Sequence, residues 1–182
     1  MQKLLVVFGS AVLWGCATSN GADPLPPVAN PVPQTISPAC QAAEYRQFDF
    51  WIGNWEVIVA GEKKAGDNLI EVVNNGCALM ESYATQTGYR GHSFNIYDAT
   101  RQLWHQSWVD NSGLLLTIEG GIVDGSMVMT GTRTRKTPQG EVLDRISWTP
   151  LDDGSVRQVW EISGDDGASW KPIFDGNYRR RN

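Results

Sequence analysis

The side chains that could do chemistry in this sequence are three carboxylates, two histidines and a set of tryptophans interleaved with glutamines. Glu81, Glu119 and Glu161 lie inside apolar, β-branched runs rather than in polar loops. Glu81 alternates with Leu79 and Tyr83, which puts all three on one face of an extended strand. A carboxyl buried there either holds its proton to unusually high pH or pairs with an arginine such as Arg145 or Arg157. The first arrangement makes a general acid or base, or a group that orients a ligand; the second is an ion pair at a rim. His92 and His105 are the only histidines, and their separation is no metal-ligand spacing, so no metal site is expected. Gly91-His92-Ser93-Phe94-Asn95 approaches a nucleophile elbow, but it lacks the second glycine and no helix follows.

The tryptophans carry a different chemistry. Trp104, Gln106 and Trp108 share one strand face, Val156, Gln158 and Trp160 another, and Ile146 and Trp148 a third. Bulky aromatics interrupted by glutamine are poorly placed in solvent, so these faces are expected to point inward. His105, Ser107, Arg145, Ser147, Thr149, Arg157 and Glu161 then point outward. The expected ligand-binding set is Trp104, Gln106, Trp108, Trp148, Gln158 and Trp160, with Glu81. An apolar wall with few polar groups suits a small apolar or aromatic molecule, for which a void above about 300 Å3 is the usual scale. No cofactor is expected.

Placing those faces requires a closed sheet. After a helical turn within 41–47, no segment keeps a 3.6-residue period. Runs rich in Val, Ile, Thr, Tyr, Phe and Trp predict ten strands, at 53–60, 67–74, 78–86, 91–98, 103–110, 113–119, 122–131, 142–150, 155–163 and 169–179. Asp110-Asn111-Ser112-Gly113, Val123-Asp124-Gly125-Ser126 and Asp152-Asp153-Gly154-Ser155 each set Asp or Asn ahead of Gly, the chemistry of tight hairpins. Consecutive hairpins give an antiparallel up-and-down meander, and closure into a β-barrel removes its edges.

The first 40 residues follow other rules. Met1-Gln2-Lys3 precedes an apolar run from Leu4 to Trp14, too short to span a bilayer and suited to a signal peptide over 1–15. Leu13, Gly15 and Cys16 resemble a bacterial lipobox, which implies that Cys16 is acylated; ordinary cleavage after Ala17 is the alternative. Residues 16–40 read as a lipid-anchored tether, since Thr18 to Pro38 holds six of the nine prolines, no aromatic residue and one charge, Asp23. The barrel domain then occupies 41–182. Ala17 after the cysteine implies sorting to the outer membrane, facing the periplasm, with a soluble periplasmic or secreted protein as the alternative. With Cys16 committed, Cys40 and Cys77 form a pair suited to a disulfide in an oxidising compartment. The expected partners are the membrane, through the anchor, and a small hydrophobic ligand. A net charge of −5 and the absence of a recognisable module argue against nucleic acid, despite basic clusters at Arg133, Arg135 and Lys136 and at Arg179 to Arg181.

Several motifs together resemble a family. Phe48 to Glu56, Asn75-Gly76-Cys77, Tyr97-Asp98, Trp104-x-Gln106-x-Trp108-Val109-Asp110 and Trp160-Glu161-x-Ser163 are similar to bacterial DUF1579-like domains over about residues 45 to 180. The resemblance implies a lipocalin-like barrel in the broad calycin sense, and no activity. In lipocalins a Gly-x-Trp tryptophan on the first strand packs beneath a late basic residue; Gly53-Asn54-Trp55 matches it, and Arg179 or Arg180 could supply the base. Ser163 to Trp170 resembles the Asp-box of sialidases, but a single copy reads as a hairpin staple, not a glycosidase. A haem-ligating histidine, as in nitrobindin-type barrels, is not singled out at either histidine. Three functions therefore compete: a ligand-binding module, an envelope structural or interaction protein whose tryptophans fill the barrel, and a cofactor-free isomerase or hydratase using Glu81.

Overall fold

The computed structural model describes residues 37–134 and 141–181. The signal peptide, Cys16, the tether up to residue 36 and the basic residues Arg135 and Lys136 lie outside the described residues. Ten strands are present among them: β1 (Gly53–Val59), β2 (Lys63–Val73), β3 (Ala78–Ala84), β4 (Arg90–Asp98), β5 (Leu103–Asp110), β6 (Leu115–Val123), β7 (Ser126–Thr134), β8 (Glu141–Pro150), β9 (Val156–Ser163) and β10 (Lys171–Arg180). Each pairs antiparallel with its sequence neighbours, and β1 closes on β10, with Trp55 opposite Arg180 and Val57 opposite Tyr178. The up-and-down barrel follows from the hairpin chemistry. Asp124 and Gly125 both take positive φ (48° and 79°), the geometry a two-residue turn between twisted strands demands. Asp153 Oδ1 accepts the Ser155 amide at 2.9 Å, and Asp110 Oδ1 accepts that of Ser112 at 2.8 Å.

β2 begins at Lys63, earlier than expected, and the largest difference from the sequence expectation is the boundary between β6 and β7. Gly120 and Gly121 do not separate two strands; β6 runs through them to Val123, and Asp124-Gly125 alone makes the turn. A Cβ on Gly120 would sit 2.0 Å from the Val128 carbonyl oxygen, so this glycine lets β6 and β7 approach closely.

The chain enters through 3-10 turns at Pro38–Cys40, Ala43–Arg46 and Asp49–Trp51, which lay an aromatic plug into one end of the barrel. Phe48 stacks on Trp51 with centroids 4.8 Å apart, and meets Trp104 and Trp148 edge-on at 5.6 and 5.2 Å. Offset and edge contacts of this kind suit the ring quadrupoles and bury large apolar areas. Trp55 is sealed from outside by Arg180, whose guanidinium lies 4.4 Å from its ring while Nη1 donates to the Ile52 carbonyl. Arg180 is thus the late basic residue over the Gly-x-Trp tryptophan, and Arg179 instead pairs with Glu62. At the same end the Cys40–Cys77 disulfide, with Cα atoms 5.1 Å apart, ties the lead-in to the β2–β3 turn, beside the Ser37 amide donating to the Asn75 carbonyl. Closing this loop constrains the unfolded chain by up to about 4 kcal/mol.

Candidate functional site

Strand parity decides what faces the barrel axis. Trp104, Gln106, Val156, Ile146 and Trp148 are buried, while His105, Ser107, Arg145 and Glu161 lie on the outer face. Height along the axis is set by strand direction. On β5, Trp104 and Trp108 are four residues apart, about 13 Å at the usual strand rise. Trp104 consequently lies in the plug, where its indole donates to Gln47 Oε1 at 3.2 Å, and Trp108 lies toward the far end. Trp148 stands at the plug end of β8, against Phe48 and Trp51. Of the seven residues expected to bind a ligand, these two face inward but belong to the plug.

The other five meet around a cavity of about 170 Å3, partly open to solvent at the end opposite the plug. Trp108 and Trp160 form aromatic walls, together with Tyr83, Tyr89 and Phe174, and Glu81, Gln106 and Gln158 contribute the polar groups. The indole of Trp108 donates to Asp110 Oδ2 at 3.2 Å and that of Trp160 to Asp144 Oδ1 at 2.8 Å. With both N–H groups taken, the two indoles offer a guest ring surface rather than donors. Gly91 makes room for this wall: a Cβ there would fall 2.0 Å from Cζ2 of Trp108.

Beneath the aromatics runs a buried polar belt that crosses strands. Gln106 Nε2 donates to Asn95 Oδ1 at 2.7 Å, Asn95 Nδ2 to Ser93 Oγ at 2.9 Å, and Ser93 Oγ to Glu81 Oε2 at 2.7 Å. From the other side Asn68 Nδ2 donates to Glu81 Oε1 at 2.7 Å and reaches Tyr178 Oη at 3.4 Å, while Tyr178 donates to Gln158 Oε1 at 2.5 Å. Both oxygens of Glu81 are therefore acceptors at the focus of the belt. Glu81 is 4% exposed, and burial pushes its carboxyl up to about 7 against the opposing pull of the Ser93 and Asn68 hydrogen bonds. The expected alternative, an ion pair with Arg145 or Arg157, is not what forms. Arg145 binds Glu161 at 2.8 Å and Arg157 binds Asp175 at 2.7 Å, both pairs on the outer face, because these arginines have the opposite parity to the lumen. Among the described residues no cation pairs with Glu81.

Asn68, Ser93, Asn95 and Tyr178 were not among the expected site residues. Their signal was parity: each shares its face with residues such as Ile70, Gly91 and Gly176 that point inward. An isolated Asn or Ser in a strand looks unremarkable until its neighbour on the next strand is known.

The remaining candidates are structural. His105 Nδ1 pairs with Glu119 at 2.8 Å and His92 Nδ1 with Ser82 at 3.2 Å, both on the outer face. No group of three potential metal-ligating side chains occurs among the described residues. In the Asp-box segment, Asp165 accepts the Ser169 amide and hydroxyl at 2.9 and 2.6 Å, and these hydrogen bonds, with that from Ser163, hold its carboxyl down at about 2. Arg145 stacks over Trp170 at 4.1 Å. These contacts make the segment a hairpin staple. No protein-family model matches the sequence, and no curated protein does.

Proposed function

We propose that this protein is an envelope-anchored barrel that binds a small molecule in the cavity between Trp108, Trp160 and Glu81. The observation that carries the proposal is the composition of that cavity: aromatic walls over a hydrogen-bonded polar floor, the pattern of a small-ligand site. Its volume, about 170 Å3, is below the roughly 300 Å3 usual for a drug-sized guest. It matches instead the roughly 150 Å3 void that accommodates benzene, so the guest is about one ring in size and a long acyl chain is too large. The Cys40–Cys77 disulfide is consistent with an oxidising, extracytoplasmic location, and no helix among the described residues is long and apolar enough to cross a membrane. Acylation at Cys16, periplasm-facing attachment to the outer membrane and kinship with DUF1579-like, lipocalin-like barrels are the remaining parts of this reading, and they rest on the sequence motifs.

Titrating tryptophan fluorescence with single-ring aromatics and with envelope lipids tests it. Saturable quenching by the small probes supports the proposal. No saturable binding across the panel would favour a structural barrel, for which the filled plug half of the lumen already speaks. A second reading, a cofactor-free isomerase or hydratase, is favoured by one observation: Glu81 lies on the cavity wall and titrates near neutrality, as a general acid or base must.

A further inference from the structure

The polar belt is arranged for an anion, yet among the described residues no cation stands beside Glu81. Four amide or hydroxyl groups point their donors, directly or in relay, toward the two oxygens of Glu81. Such a relay, as it stands, favours the carboxylate form of Glu81 against the opposing effect of burial. A carboxylate this deeply buried is costly unless a positive charge comes close. Among the described residues none does, and Glu81 borders the cavity rather than solid core. The side from which a counter-charge can reach Glu81 is therefore the cavity.

The walls match such a guest. Trp108, Trp160, Tyr83, Tyr89 and Phe174 surround the space above Glu81 with aromatic rings, whose faces attract ammonium groups. Two of these rings are backed by a further negative charge: Tyr89 Oη and Trp108 Nε1 both donate to Asp110 Oδ2, at 2.7 and 3.2 Å. Despite the desolvation of its surroundings, hydrogen bonds from Ser112, Tyr89 and Trp108 hold Asp110 well below the usual carboxylate range, so it stays ionised. Aromatic rings, a buried carboxylate without a partner cation and an ionised neighbour behind the wall share one preference.

Deepening the ligand-binding reading above, on which it rests, we propose that the guest is a small organic cation, a primary or quaternary amine about one ring in size, whose ammonium group pairs with Glu81. The groups facing Glu81 let its charge follow the ligand. Asn68 from β2 and Ser93 from β4 do not titrate; Tyr83 from β3 and Tyr178 from β10 are pushed up, first by burial and then by the Glu81 charge, and stay neutral. Below its own titration near 7, Glu81 must therefore release a proton when an ammonium group binds.

Three probes of similar size separate the possibilities: benzylamine, benzyl alcohol and benzoate, titrated into the full chain by calorimetry. At about pH 8 benzylamine is expected to bind at least about tenfold more tightly than benzyl alcohol, with benzoate weakest. At about pH 6, buffers of different ionisation enthalpy should report release of nearly one proton with benzylamine and none with benzyl alcohol. Glu81→Gln should bring benzylamine down to the level of benzyl alcohol. Benzyl alcohol binding as well as benzylamine overturns the cation assignment and leaves the small-ligand reading standing. An amine preference that survives in E81Q overturns the role of Glu81. Failure of all three probes to bind overturns both readings. If E81Q does not fold, proton release by the wild-type protein decides alone.

Discussion

Replacing Glu81 with glutamine tests the buried belt without any ligand. The carboxyl accepts 2.7 Å bonds from Asn68 and Ser93, and burial raises it from 4.5 to about 7. Between those values the folded protein keeps a proton that the unfolded chain has already lost. Stability from this source is whole below the unfolded value of 4.5 and disappears as pH rises through about 7. At about 1.4 kcal/mol per pH unit the interval amounts to about 3 kcal/mol. Glutamine is nearly isosteric and never ionises, so E81Q lacks this fall. It also fits the belt, since the buried Asn68 Oδ1 has no hydrogen-bond partner and an Asn68 flip can turn it toward the new amide. Thermal and urea unfolding of both proteins, disulfide intact, would be followed from about pH 4.5 to 8, where other titrating groups cancel in the difference. Relative to wild type, E81Q should gain about 3 kcal/mol across the range, or roughly 6 to 12 °C in Tm. Parallel curves for the two proteins would refute the reasoning, because they would mean Glu81 is as ionised in the fold as in the open chain.

Other perturbations separate the two halves of the lumen. Gly91→Ala should push the Trp108 ring from its seat, weakening single-ring probes and shifting the emission spectrum, at a stability cost of about 1 to 3 kcal/mol. Trp148→Ala, in the plug, should cost about 3 to 5 kcal/mol in urea unfolding while leaving probe affinity unchanged in the folded fraction. Cys77→Ser removes the disulfide and should lower stability by up to about 4 kcal/mol, again without changing probe affinity, since the bridge lies at the plug end. A loss of binding in the last two variants would show that plug and cavity are one cooperative unit.

Local chemistry in the sequence determined the barrel and its lumen. Asp-Gly and Asn-Ser-Gly turn sequences set the hairpins, and period-two alternation assigned Trp104, Gln106, Trp108, Gln158 and Trp160 to the inner face; the resemblance of Gly53-Asn54-Trp55 to the lipocalin motif implied a basic cap from Arg179 or Arg180, and Arg180 supplies it. The even pair of cysteines left once Cys16 is set aside, with the expectation of an oxidising compartment, likewise anticipated the Cys40–Cys77 bridge. Only the tertiary structure decided where along the axis each inward residue stands. Side-chain parity is a property of one strand, whereas height depends on strand direction and on register against neighbours. That is why Trp104 and Trp148 joined Phe48 in the plug while Trp108 and Trp160 walled the cavity. It is also why Glu81 could be placed inside from Leu79 and Tyr83, but its partners could not be named. Asn68, Ser93 and Tyr178 come from three other strands, and only closure of the sheet brings their hydrogen bonds together.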